Sequence, residues 1–158
     1  MRFILVLGAL CLANPVFAQD PVLKSGFKEC VAQSVADEVP IIGCVADAHV
    51  RCTGYEPGSE AELACYIKAK GEWGAQISDL LASFSDKSED LQETVRIEAK
   101  YAVLRNLMNC DLRMELSLVG RDAEPSDQTV RAKCEALATS AGLTEVLFKS
   151  GTITRPAE

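Results

Sequence analysis

Six cysteines spread over the chain after residue 18 constrain the fold more than any other feature of the sequence. They are Cys30, Cys44, Cys52, Cys65, Cys110 and Cys134. An even number of cysteines in an exported chain predicts three disulfide bonds. The alternative is a metal site built from Cys44, His49 and Cys52, but the chain has a single histidine and lacks the C-x-x-C pair of zinc sites. We therefore expect three disulfides, and neither a metal nor another cofactor.

Residues 1–18 have the pattern of a signal peptide. Arg2 is a short basic start, residues 3–13 form an apolar run, and Ala18 ends a small-residue cleavage site. The apolar run is shorter than the roughly 20 residues that a membrane-spanning helix needs. Leu10 precedes Cys11, whereas a lipidated cysteine follows a small residue, so we expect Cys11 to leave with the signal. The pattern predicts cleavage after Ala18 and a periplasmic product.

The exported chain, about 140 residues long, is large enough for one domain with one core. We assign this domain to residues 19–149 and expect a flexible tail over 150–158, which carries no packing signal. Without Arg2 the chain has 15 basic and 23 acidic residues, a net charge of −8. This balance argues against a nucleic-acid partner, whose phosphates favour a basic surface, and it permits a basic protein partner. No later segment is apolar enough to predict a membrane span.

The strongest helical pattern runs from Ser59 to Phe84. Its apolar residues recur at steps of three and four, which places them on one face of a helix: Tyr66, Ala69, Trp73, Ile77, Leu80 and Phe84. Ser59 and Glu62 have the spacing of a capping box at the helix start. Tyr66 and Trp73 could form an aromatic binding face, but aromatic residues at this spacing are more typical of a core, which is the interpretation we adopt.

Weaker patterns predict four more helices, at about 22–38, 41–52, 89–119, and from 126 or 127 to 148. Ser88 is placed to cap the fourth helix, and Gly142 is expected to bend or break the fifth. Apolar residues cover a broad arc of the fourth helix, which predicts contact with more than one neighbour. No segment shows the alternation of a strand. The predicted fold class is all-α, a small disulfide-stapled bundle of four to five antiparallel helices.

Helix geometry restricts the pairing of the cysteines. Cys44 and Cys52 would be about 12 Å apart within one helix, and a disulfide needs Cα atoms within roughly 7 Å, so this pair requires a broken helix. Cysteines on either side of a turn can meet more easily. We therefore predict the three sequential bonds, Cys30–Cys44, Cys52–Cys65 and Cys110–Cys134, each of which closes a helical hairpin.

The sequence offers little equipment for catalysis. An acid–base or nucleophilic mechanism would have to use His49, the single histidine. His49 lies on the inner face of the predicted second helix, where a packed or hydrogen-bonded histidine is the usual case. Paired acidic residues occur at helix starts, where capping and the helix dipole explain them. We expect the protein not to be an enzyme.

The cysteine layout, taken with the tryptophan, resembles the LprI-like family of bacterial lysozyme inhibitors. The resemblance covers about residues 30–148, and its sharpest part is Cys65 followed eight residues later by Trp73. The other positions that are similar in order are Ile42, Gly43, Cys44, Cys52, Tyr101, Arg105, Cys110, Gly120, Cys134 and Thr139. The resemblance implies an exported helical domain that binds a lysozyme-type glycosidase.

Such binding would be non-covalent, and the acidic surface would attract a basic enzyme. Tyr55 and Glu56 lie on the loop between Cys52 and Cys65, and they are our candidates for contact with the partner. A disulfide-clamped loop loses less entropy on binding than a free one. The alternative is a structural or adaptor protein of the cell envelope that binds another periplasmic protein and inhibits nothing.

Overall fold

A computed structural model describes residues 20–154; the expected signal peptide, its cleavage site and residues 155–158 lie outside this range. The described chain contains five α-helices and one short 3₁₀ turn. They are α1 (Phe27–Ala36), α2 (Ile42–Ala48), the 3₁₀ turn (Cys52–Gly54), α3 (Glu60–Ala82), α4 (Glu89–Ser117) and α5 (Pro125–Lys149). No strand occurs between residues 20 and 154, and the all-α prediction is confirmed. None of these helices is long and apolar enough to cross a membrane.

The three disulfides join the cysteines that were predicted to pair. Cys30 is bonded to Cys44, Cys52 to Cys65 and Cys110 to Cys134. The first bond links α1 to α2, the second links the 3₁₀ turn to α3, and the third links α4 to α5. Each α-helix is therefore bonded to one neighbouring element. Among the described residues, no disulfide spans the connection from α2 to the 3₁₀ turn or the connection from α3 to α4. Each bond lowers the entropy of the unfolded chain and thereby stabilises the fold, by roughly 3 kcal/mol for loops of this length.

The main core lies between α3, α5 and the α1–α2 hairpin. Trp73, Tyr66 and Ala69 on α3 are fully buried there, as the helical pattern predicts. Phe27 and Val31 from α1 and Ala136 from α5 pack against the same core. Ser59 Oγ accepts a hydrogen bond from the Glu62 amide (3.2 Å), but the Glu62 carboxylate accepts from the Gly58 amide (2.7 Å) rather than from Ser59. One bond of the expected capping box is therefore present, and the reciprocal bond is made to the amide one residue earlier.

The long helices alternate in direction. Glu98 pairs with Lys149 (3.1 Å) near the start of α4 and the end of α5, and Cys110 is bonded to Cys134, so these helices are antiparallel. Lys70 pairs with Glu135 (2.7 Å), and Gly58 lies beside Ser126, so α3 and α5 run in the same direction. This is the geometry of an up–down–up arrangement in which α4 is the return helix.

Several predicted boundaries differ from the structure. Helix α1 starts at Phe27 rather than near residue 22, because Gly26 before it takes a left-handed conformation (φ 91°). Helix α2 ends at Ala48, and Cys52 belongs to a separate 3₁₀ turn. Ser88 is the N-cap residue of α4 but makes no side-chain capping bond. Helix α5 starts at Pro125, with a capping box formed by Glu124 and Asp127.

One expectation about the C-terminal part is wrong. Gly142 does not bend or break α5, which continues to Lys149. Instead Gly142 is buried against α4, and a Cβ at this position would overlap the side chain of Val103. The predicted tail also has a packing contact at its start: Ile153 is buried in the core, and its amide donates to the Leu147 carbonyl (3.0 Å).

Helix α4 contacts both α5 and α3, which confirms the prediction of more than one neighbour, but only part of its broad apolar arc is buried. The residues of α4 that are buried are mostly small: Val95, Ala99, Ala102 and Cys110. Helix α4 packs along its length on α5, and its contact with α3 is confined to the region where Val95 and Ala99 meet Ile77 and Leu80. The large apolar side chains on the opposite side of α4 remain exposed.

Replacing Gly142 with Ala tests the close approach of α4 and α5. Helix propensity favours alanine by about 1 kcal/mol, but the overlap with Val103 should outweigh it and lower the free energy of unfolding by roughly 1–3 kcal/mol. Gly71→Ala is the matched control, because Gly71 lies in α3 with open space at its Cβ position. Urea denaturation should show that this control is slightly stabilised. A Gly142→Ala variant as stable as Gly71→Ala would contradict the packing described for α5.

Candidate functional site

The loop over residues 53–58 is held at both ends. The Cys52–Cys65 disulfide ties its start to the second turn of α3. Its end is held by the Gly58 amide, which donates to the buried Glu62 carboxylate (2.7 Å). Gly58 takes a left-handed conformation (φ 78°) and packs beside Ser126 of α5. A Cβ built on Gly58 would lie 3.5 Å from the Cβ of Ser126. We call this segment the clamped loop.

The two predicted contact residues lie at the surface of the clamped loop. The Tyr55 side chain is 46% exposed and Glu56 is also exposed. The backbone is folded locally, because the Ser59 amide donates to the Glu56 carbonyl (3.1 Å). An exposed tyrosine offers a rigid apolar ring with a hydroxyl that can donate and accept. The loop therefore presents one aromatic ring and one carboxylate on a backbone that is held at both ends.

A buried hydrogen-bonded chain lies beside the middle of α3. The Trp73 indole N–H donates to Nε2 of His49 (3.0 Å). Because an indole nitrogen is a donor only, Nε2 carries no proton, and Nδ1 donates to the Val45 carbonyl (2.7 Å). Phe27 packs edge-on against the Trp73 ring, with ring centroids 4.6 Å apart. These contacts join α1, α2 and α3 at one point of the core.

His49 is therefore a core residue, as the sequence analysis interpreted it. Its side chain is 2% exposed, and both ring nitrogens are engaged. Burial lowers the pKa of His49 below its usual value of about 6.5; the hydrogen bond to Val45 opposes this shift, and the positive charge of Lys133 adds to it. The imidazole stays neutral at pH 7 and has no free nitrogen to act as a base. Tyr66 and Trp73 are fully buried too, so they do not form an exposed binding face.

Sequence reasoning did not identify the role of Glu72. Its carboxylate accepts hydrogen bonds from the amides of Val22 (2.9 Å) and Leu23 (2.8 Å). This fork fixes the segment before α1 against α3 and seats Leu23 in the core. Glu72 directly precedes Trp73, the largest fully buried side chain, and a carboxylate at that position is the one sequence signal that points to such a role.

Two other positions of the family resemblance lie on α4 beside a groove. Tyr101 and Arg105 are exposed and line a groove of about 430 Å³ between α4 and α5, together with Glu98, Glu145 and Lys149. Thr139 is buried, and its hydroxyl donates to the Glu135 carbonyl (2.8 Å). Of the positions that carry the resemblance, Tyr101 and Arg105 thus lie on the surface, while Cys65 and Trp73 lie in the core.

The sulfur atoms of the six cysteines are occupied in disulfides, which leaves Cys44 and Cys52 without a thiolate for a metal. Residues 20–154 contain no group of three or more potential ligands placed to hold a metal ion. Comparison with known proteins gives no further guide: no family model, no curated protein and no solved structure matches the chain. The function has to be inferred from the geometry and from the resemblance in cysteine spacing.

The neutral state of His49 predicts how stability changes between pH 7.5 and pH 5. The folded-state pKa lies below the unfolded value of about 6.5, so the unfolded chain binds a proton first. The contribution of His49 to the free energy of unfolding should be complete above a pH of about 6.5. It should decrease as the pH falls below that value, by at most about 1.4 kcal/mol per pH unit. Urea denaturation at a series of pH values measures this slope.

A His49→Gln variant serves as the control, since His49 is the single histidine of the chain. The variant should be less stable at every pH but should lose the slope in this window. Equal slopes in the two proteins, or a wild type that becomes more stable as the pH falls, would contradict the neutral hydrogen-bonded histidine.

Proposed function

We propose that this chain is an exported periplasmic protein that binds a lysozyme-type glycosidase non-covalently through the clamped loop. The observation that carries the proposal is the display of Tyr55 and Glu56 on a segment fixed by the Cys52–Cys65 disulfide and by the Gly58–Glu62 hydrogen bond. The resemblance in cysteine and tryptophan spacing supplies the class of partner. The acidic balance of the chain is in keeping with a basic enzyme as that partner.

Preorganisation explains why such a loop is a favourable binding element. A flexible segment loses conformational entropy when it is ordered in a complex, and a restrained one loses less. The disulfide links the loop to Cys65 of α3, directly before Tyr66, which is fully buried. The attachment to the core thereby limits the motion of Tyr55 and Glu56 before the partner binds.

Charge gives the second contribution. The chain after residue 18, with 15 basic and 23 acidic residues, has a net charge of −8, and long-range attraction of a basic enzyme raises the association rate more than it raises the final affinity. Glu56 lies at the proposed contact, so it would meet the partner's basic side chains directly. Tyr55 beside it supplies apolar area of the kind that dominates protein interfaces.

A second candidate is an adaptor of the cell envelope that inhibits no enzyme. The groove between α4 and α5 favours it, because Arg105, Glu145 and Lys149 present charges of both signs beside the exposed Tyr101. In this case the partner would contact the groove and not the clamped loop. An Arg105→Glu substitution distinguishes the two surfaces, since it should leave binding through the loop unchanged.

Inhibition of a basic lysozyme by the purified, oxidised protein tests the proposal. Tyr55→Ala should weaken inhibition by about tenfold or more, the effect expected of a contact worth about 1.4 kcal/mol or more. Glu56→Lys should slow association, with a smaller effect at high salt. Fluorogenic peptidoglycan turnover and surface plasmon resonance measure the two effects.

Two control variants match these changes. Tyr101→Ala removes the other exposed tyrosine, and Asp86→Lys makes the same charge change in the α3–α4 turn, at the opposite end of α3 from the clamped loop. Both should inhibit like the wild type. Absence of inhibition at micromolar concentrations by correctly folded wild-type protein would overturn the proposal.

A further inference from the structure

The outer side of α4, together with the turn that follows it, carries a row of large apolar residues that remain exposed. The row recurs at steps of three and four over 23 residues, and its members are between 42% and 77% exposed: Ile97, Tyr101, Leu104, Met108, Leu112, Leu116 and Val119. We call it the α4 stripe. At 1.5 Å per residue it is about 33 Å long.

Packing within the chain does not account for the stripe. Helix α5 covers the opposite side of α4, where the small residues Ala99 and Ala102 and the Cys110–Cys134 bond allow close approach. Gly142 and Val103 are in the same tight contact. The core of the described chain is therefore complete without the large side chains of the α4 stripe. If these positions faced only water, polar residues would be expected there.

The size of the stripe matches what one partner contributes to a stable protein interface. If a fully exposed large side chain presents on the order of 200 Å², the seven residues expose roughly 800 Å². This exceeds the apolar patch of about 300–600 Å² that is typical of monomers, and it equals the roughly 800 Å² per partner of a standard interface.

The order of residues along the stripe makes it complementary to itself in an antiparallel arrangement. A two-fold axis at Met108 would place Leu104 opposite Leu112 of a second copy, and Tyr101 opposite Glu115, whose carboxylate can accept from the tyrosine hydroxyl. An isologous contact of this kind needs one surface only.

Charges at the edge of the stripe favour the same arrangement. Lys100 and Glu115 border the stripe on one side, both are exposed, and neither forms an ion pair within the described residues. Lys100 lies over the ring of Tyr101 at 5.9 Å. Antiparallel pairing would bring each Lys100 next to the other copy's Glu115, whereas parallel pairing would oppose like charges.

We propose that the protein forms a homodimer in which the α4 stripes of two copies pack antiparallel about a two-fold axis near Met108. The dimer leaves the α1–α2 hairpin and the 3₁₀ turn outside the interface, because neither belongs to α4. The dimer proposal is independent of the function proposed for the clamped loop, and separate measurements test the two proposals.

Sedimentation velocity of the oxidised full chain over about 1–200 µM tests the pairing. The wild type should sediment at twice the mass of one chain at the higher concentrations. Met108→Glu places two carboxylates at the axis and should shift the protein to monomer, with an unchanged circular dichroism spectrum because Met108 is 69% exposed. Val130→Glu is the matched control, since Val130 is an exposed apolar residue of α5 outside the stripe; it should remain dimeric.

Charge reversal tests the direction of the pairing. Lys100→Glu and Glu115→Lys should each weaken the dimer by roughly two- to tenfold, and the double variant should restore wild-type association. A wild type that is monomeric at 200 µM, or a Val130→Glu variant that dissociates as much as Met108→Glu, would overturn the proposal. Failure of the double variant to recover would overturn the antiparallel arrangement.

Discussion

The hydrogen bond between Trp73 and His49 is the interaction on which the rest of the N-terminal half depends. It connects Trp73, the largest fully buried side chain of α3, to the end of α2, and His49 in turn donates to the Val45 carbonyl. Phe27 closes the same point from α1. Two disulfides lie on either side of it, Cys30–Cys44 and Cys52–Cys65. The Cys52–Cys65 bond attaches the start of the clamped loop to the same core.

Much of this arrangement could be predicted from the sequence, because its determinants are local. Helical spacing identified the buried face of α3, on which Tyr66 and Trp73 are fully buried. Chain geometry removed Cys44–Cys52 and left pairs that span turns, and the observed bonds are those pairs. The burial of His49 followed from its position among apolar residues.

The parts that could not be predicted depend on contacts between distant segments. Gly142 is a helix breaker by propensity, but its missing side chain is what lets α5 lie against Val103. Helix α4 is apolar around much of its circumference, so periodicity could not decide which side faces inward; the side with alanines does. The fork between Glu72 and the amides of Val22 and Leu23 joins residues about fifty positions apart and leaves no periodic signal.

The proposed function follows from the same division between core and surface. Most of the residues that the family resemblance shares lie in disulfides or in the core, whereas Tyr55 and Glu56 lie on the segment that these bonds hold in place. The fold thus offers a restrained acidic loop on one part of its surface and an apolar helix face on another. The first fits a basic enzyme, and the second fits a copy of the chain.

Amide hydrogen exchange of the oxidised protein, free and saturated with a basic lysozyme, tests the central claim most directly. The account predicts that exchange slows over residues 53–58 in the complex while peptides from α4 are unchanged. Binding that leaves residues 53–58 unaffected, with protection confined to other segments, would contradict it.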